Sequence, residues 1–308
     1  MAHPRTPALS RLALRLLPIA LLAPAVSAQS ADASWIDYLH PTASAEIAWV
    51  DNISRTSYEA TRKDASTLTF DLGGSLPRQL APSVLFVGSG TLSSLFVDDY
   101  ELTNNVTATA RLALQKKFGL GPQAWVLQGT VSGGYKAARF DDDRGFTTEA
   151  ELQLAKRVLP NLRLAASVHW LEHDAASAVF DLNQSSYGLD AQWDIGDRWT
   201  VSGNYTWLDG DVVANAAWPV WDQMLDGYFG QTIYNYYTSR PWTITNLYGP
   251  GWVSYNVEAK VDLWWLAVSY AATDQLALEL RYDAAFVVNE VDVTYPTSKW
   301  ALRLNYRF

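Results

Sequence analysis

About twelve segments of alternating apolar and polar residues, joined by short turns and long loops in regular succession, predict an all-β fold. The outward positions of several segments are too large and apolar for a solvated surface, which makes that fold a transmembrane antiparallel up-and-down β-barrel. A period of two sends successive side chains to opposite faces of a strand. One face of such a barrel meets lipid and the other encloses the lumen.

The first 28 residues have the layout of a cleaved secretory signal peptide. Arg5, Arg11 and Arg15 give a basic start, "LLPIALLAPAV" is the apolar run, and Val26-Ser27-Ala28 is a small-residue cleavage site. The run is short of the ~20 residues a membrane-spanning helix needs, and Pro18 and Pro24 interrupt it. Its removal takes three arginines and no acid, so the formal net charge of −9 becomes −12 for residues 29–308. An acidic chain of this kind is not expected to bind nucleic acid. With no cysteine, neither disulfides nor thiolate sites hold it together.

The strands follow in order as "AEIAWVDN", "STLTFDLGG", "SVLFVGSGTLSS", "NVTATARLALQKKF", "QAWVLQGTVSGGYKAARF", "TTEAELQLAKRV", "NLRLAASVHWLEH", "SSYGLDAQWDIG", "RWTVSGNYTWLDG", "DLWWLAVSYAA", "LALELRYDAAFVV" and the C-terminal "WALRLNYRF". Most approach the ~10 residues of a tilted membrane strand. In the tenth the apolar phase changes between Val261 and Leu266, which predicts a β-bulge. A secreted sandwich or propeller is also strand-rich, but would expose Trp199, Val201, Tyr205 and Trp207 of the ninth segment to water.

Links after even-numbered strands are short and carry turn residues: "GLGPQ", "LPN", "DIGDR" and "TDQ", with "GSLPRQLAP" somewhat longer. Links after odd-numbered strands are long and polar, and the longest covers about 208–262. Short turns in the periplasm and long extracellular loops are the habit of bacterial membrane barrels, and an even strand count puts both termini in the periplasm.

The final stretch alternates Trp300, Leu302, Leu304, Tyr306 and Phe308 with small or polar residues and stops on the aromatic. In this the chain resembles the Gram-negative outer-membrane β-barrel (porin-like) superfamily. The resemblance implies that Trp300, Tyr306 and Phe308 form the signal read by the barrel-insertion machinery, and that outer-membrane lipid and lipopolysaccharide surround the protein.

With the apolar phase outward, the opposite phase lines the lumen with Arg111, Glu151, Arg157, Arg163, Asp190, Glu279, Arg281, Asp283, Arg303 and Arg307, and Glu46 and Asp71 join from the first two strands. Mixed charges facing one another can pair and fill a narrow barrel. They can equally line a water-filled passage, and twelve strands lie between small filled barrels and wide porins. Mixed signs do not make the one-sign ring of a strongly ion-selective filter.

The ninth connection carries eleven aromatics, among them Trp218, Trp221, Tyr236, Tyr237, Trp242 and Trp252. A wet loop this aromatic must bury them. A self-packed cap, a constriction folded into the barrel and a surface that stacks on sugar rings are the three readings. Asp98, Asp99 and Glu101, and Asp141 to Asp143, form acidic clusters without EF-hand spacing, so solvated negative surface is expected and neither a metal nor another cofactor.

"HWLEH" matches a zinc-peptidase pattern, but on a strand His169 and His173 stand about 13 Å apart. His173-Asp174 at the outer end of strand seven leaves an outer-membrane hydrolase as a second alternative, although the motifs of the barrel proteases and phospholipases are missing. The function expected is a passive channel or exporter component for small polar or saccharide-like solutes, not an enzyme. The first alternative is a non-conducting surface barrel that binds glycan, envelope polymer or a protein partner.

Overall fold

The computed structural model describes residues 39–308, so the expected signal peptide lies outside the described residues. Twelve antiparallel strands close into a barrel: β1 (His40–Asp51), β2 (Ala65–Ala81), β3 (Val84–Val97), β4 (Asn105–Phe118), β5 (Trp125–Ala138), β6 (Gly145–Leu159), β7 (Leu162–Ala175), β8 (Leu182–Ile195), β9 (Trp199–Ala217), β11 (Trp252–Ala271), β12 (Leu276–Asn289) and β13 (Thr294–Arg307). Sequential neighbours pair, β11 joins β9, and β13 closes on β1 from Thr42↔Arg307 to Asp51↔Ser298. Closure leaves no long edge of unpaired backbone groups. The short β10 (Trp242–Thr245) pairs only with the start of β11.

All twelve expected strands are present, but several run further than their alternation. "GSLPRQLAP" is no turn: β2 continues through it, leaving two residues before β3. Pro77 is tolerated because β2 has passed its last partner on β1, His40↔Ser75, so the missing N–H faces a free edge. β13 likewise begins at Thr294, inside the expected last loop, and Pro296 lies beyond the end of β1.

The largest extension is at β9 and β11. They stay paired from Trp199↔Tyr270 to Ala217↔Trp252, so the connection spans 218–251 and not 208–262. The bulge expected in the tenth membrane strand is absent, since this register is unbroken between Val261 and Leu266. The phase change has another cause. Trp264 and Leu266 are outward and exposed, and further up the same face carries exposed Asp262, Lys260 and Glu258, while buried Val261, Ala259 and Val257 take the inner phase. The strand passes from an apolar surround into water, and the chemistry of both faces inverts without a change in pairing. Gly210 marks the point where β9 leaves β8: its φ is 144°, and a Cβ there would lie 2.2 Å from the Asn183 carbonyl oxygen.

Outside, leucines and valines such as Leu112, Val131, Leu152, Leu189, Leu280 and Leu302 form an exposed apolar band. Aromatic pairs flank it. Trp199 meets Tyr270 at 4.7 Å near the short turns, while Tyr282 lies 4.6 Å from Trp300 and 5.2 Å from Trp264 toward the loops. Two aromatic girdles about an apolar belt suit the two headgroup regions of a bilayer.

Candidate functional site

The charged residues of the inner phase form two walls, interspersed with small residues such as Ala48, Gly134, Ala267 and Ala301. The first spans β11 to β13 and β1 to β2. Glu46, only 6% exposed, accepts from Lys299 Nζ and Arg303 Nε at 3.1 Å each. Arg303 Nη2 also reaches Asp71 Oδ2 at 3.5 Å, and Ser44 and Ser93 donate to the same carboxylate at 2.8 and 2.6 Å. Arg281 donates to Asp283 at 2.8 Å and stacks 4.3 Å from the Trp265 ring, and Ser269 donates to Glu279.

The second wall lies on β4 to β9. Arg111 Nη2 and His169 Nε2 stand 3.8 and 3.7 Å from Glu149 Oε2, to which Ser132 donates. Arg163 donates to Gln153, Asn204 to Asp190, and Arg157 to the Pro160 carbonyl with Asp194 3.4 Å away.

At the loop end of this wall, Lys136 Nζ sits 2.7 Å from Asp143, and His173 is nearly buried between Thr147 (Nδ1 to Oγ1, 3.1 Å) and Asp143 (Nε2 to Oδ1, 3.8 Å). Burial acts to raise the Asp143 carboxyl, but the interactions with His173 and Lys136 outweigh it and hold the group below its ordinary value. His173 faces inward, so Asp174, next along the strand, faces out. That separates the pair on which a rim hydrolase would depend.

Segment 218–251 folds into α1 (Trp218–Leu225), α2 (Gln231–Ser239) and β10. Pro219 opens α1, and Gly227 and Gly230 take positive φ between the helices. Trp221 is fully buried, stacked 4.9 Å from Tyr255 and edge-on to Tyr237, whose hydroxyl accepts from Asn289. Val257, Val261, Val287 and Tyr295 complete this core. All four belong to the inner phase of β11 to β13, so the helices pack on the lumen side of the barrel at its loop end.

A buried polar chain fastens the β9–β11 extension to the first loop. Asn52 Nδ2 donates to the Pro296 and Thr56 carbonyls, and Ser54 Oγ to Asn52 Oδ1. Asn215 Nδ2 donates to the Ser54 carbonyl, Ser254 Oγ donates to Asn215 Oδ1, and Thr245 Oγ1 lies 3.2 Å from Ser254 Oγ. The Tyr248 hydroxyl donates to the Ile53 carbonyl, and burial pushes its pKa up to about 12.

No family profile and no curated protein sequence matches the chain. Solved structures do. An outer membrane channel from Pseudomonas putida F1 superposes with a TM-score of 0.58 over 91% of this chain and 100% of that one, at 10% identity. The chain has the fold of the outer-membrane β-barrels. The NanC porin (TM-score 0.44, 9% identity, 86% of this chain and 100% of that one) and outer membrane phospholipase A from Escherichia coli (0.46, 11%, 87% and 98%) are more distant likenesses, one a porin and one a hydrolase.

Within this outer-membrane-type barrel, eight of the ten expected inner residues make side-chain contacts in the two walls. Glu151 stands opposite His169 in the β6–β7 register but makes no side-chain hydrogen bond or ion pair among the described residues. Arg307 stands apart at the turn end, with its backbone N–H on the Gln275 carbonyl. Glu149 and Lys299 are the partners not anticipated, although parity with Glu151 and Arg303 marks both. Trp300 lies midway along β13, Tyr306 near its end and Phe308 one residue beyond it, with Tyr306 and Phe308 in edge contact at 4.8 Å.

Of the six loop aromatics, Trp221, Tyr237 and Trp252 are buried, Tyr236 lies under the Arg240 guanidinium, and Trp218 and Trp242 remain partly exposed. Three of the six acids in the two clusters are paired, Asp141 with Arg144, Glu101 with Arg139, and Asp143 turned inward to Lys136. Both histidines of "HWLEH" lie on β7 with separate partners, and among the described residues no three His, Asp or Glu side chains gather as a metal site.

Proposed function

We propose that the protein is a passive outer-membrane channel for small polar solutes, narrowed at its loop end by the α1–α2 segment. The observation that carries this reading is the direction of the ion pairs. Arg303 to Glu46 and Asp71, Lys299 to Glu46 and Asp283, Arg111 to Glu149, and Arg157 to Asp194 all join side chains on the same or nearby strands. Charges that pair along a wall keep it rigid and satisfied, and leave the middle of the barrel to water. With both signs on each wall, selectivity by charge is weak and selectivity by size dominates.

In this reading the short turns and both termini face the periplasm, 218–251 faces the outside, and lipid and lipopolysaccharide surround the apolar band. Trp300, Tyr306 and Phe308 serve as the insertion signal. The likeness to an outer membrane channel supports the assignment at the level of fold.

The test is single-channel conductance of residues 29–308 in planar bilayers, beside a variant in which a two-residue turn replaces 218–251. Ala217 and Trp252 are direct partners, so such a turn closes the hairpin without new strain. Steady openings that widen in the variant are expected. Silence from both, with folded barrels confirmed by heat-modifiable gel mobility, would leave a surface barrel that binds glycan, envelope polymer or a protein partner.

A further inference from the structure

A cavity of about 380 Å³ opens on the inner side of the turn end, lined by Thr42, Ser44, Asp71, Gly73, Thr91, Gln275, Asn305 and Arg307 among others. Its charge is largely settled within the wall, because Asp71 is held by Arg303, Ser44 and Ser93. Its neutral polar groups are not. Among the described residues the Thr42 and Thr91 hydroxyls, the Asn305 amide and Gln275 Nε2 make no side-chain hydrogen bond, and Gln275 Oε1 receives only a long one, 3.5 Å from the Tyr306 hydroxyl. Gly73 keeps the space between the two threonines: a Cβ there would stand 3.3 and 3.4 Å from their hydroxyl oxygens and 3.2 Å from the Gly90 carbonyl oxygen.

We propose that this cavity is a subsite for a polyhydroxylated solute of about the size of one pyranose ring. Hydroxyls and primary amides both donate and accept, as each hydroxyl of a sugar does, so the cluster can exchange its hydrogen bonds with water for bonds to such a ring. A cation-specific or anion-specific site would instead present uncompensated charge. Among the described residues two unpaired ions also line the cavity, Asp274 and Arg307, but they are of opposite sign and both sit exposed at the turn end, so they leave no net charge for one ion to select. Binding of this kind is weak, which suits a solute that must also leave. The subsite rests on the channel reading for its physiological use, but binding itself requires no conduction.

Saturation-transfer NMR on refolded residues 29–308 in detergent micelles tests it, with glucose as the probe and cyclohexanol, a ring of similar size with one hydroxyl, as the control. Transfer to glucose well above that to cyclohexanol is expected. The double variant Thr91→Val, Asn305→Leu should lower it about five-fold or more, the factor that one net hydrogen bond of ordinary strength carries. If that variant does not refold, Asn305→Ala at the accessible strand end replaces it. No transfer to glucose in the folded protein, equal transfer to cyclohexanol, or an undiminished signal in the folded variant would each overturn the subsite. Conductance is recorded separately: a silent barrel that still binds glucose overturns the channel and leaves the subsite standing.

Discussion

Glu46 sits between Lys299 and Arg303, 3.1 Å from each, although the cations lie more than 250 residues away in the chain. Barrel closure makes this contact, because β1 and β13 are the first and last strands. Both cations are about one third exposed, so lumen water shares in their solvation.

Glu46→Gln keeps the volume and removes the charge that Lys299 and Arg303 share. Urea unfolding followed by gel mobility should show a loss of about 1–3 kcal/mol, near the lower end for a broken buried pair because of that water. Arg303→Ala should in addition alter single-channel conductance, and unchanged conductance would count against a passage along this wall.

Trp221→Ala empties the centre of the loop core. Local destabilisation of about 3–5 kcal/mol is expected, as for other large-to-small changes at fully buried aromatics. The barrel itself should still show heat-modifiable mobility, while limited proteolysis cuts within 218–251. Cleavage equal to the parent protein would mean that Trp221 does not hold the segment in place.

Asn215→Leu breaks the link between the β9–β11 extension and the first loop, leaving the Ser54 carbonyl without its side-chain donor and the Ser254 hydroxyl with Thr245 alone. A buried polar group so abandoned costs about 1–3 kcal/mol. Hydrogen exchange should speed up in both 52–64 and 242–256, and acceleration in one segment alone would refute the coupling.

Asp143 supplies a pH dependence of definite sign. Its folded pKa lies below the ordinary value of 3.8, so its stabilisation is complete above that value and fades as pH falls through the lower, folded one. Protection of the loops around His173 should therefore persist at neutral and mildly acidic pH and decline only below about pH 4. Asp143→Asn should flatten this acid limb, and an unchanged limb would place its origin elsewhere.

The twelve strands, their faces and most of the inner charges were legible in the chain because lipid, pleat and lumen impose one rule at every second residue. Arg303 could be assigned to the inner wall from its alternation with Leu302 and Leu304 alone. Its partners could not, since alternation carries no information about which strand closes on which height. Beyond the apolar belt the rule inverts, and so Glu258, Lys260 and Asp262 disguised a continuous strand as the end of a loop. The placing of Trp221 and Tyr237 against the inner faces of β11 to β13 was decided by tertiary structure alone. Eleven aromatics demand burial somewhere, but burial is non-directional, and only the assembled mouth of the barrel offers them a surface.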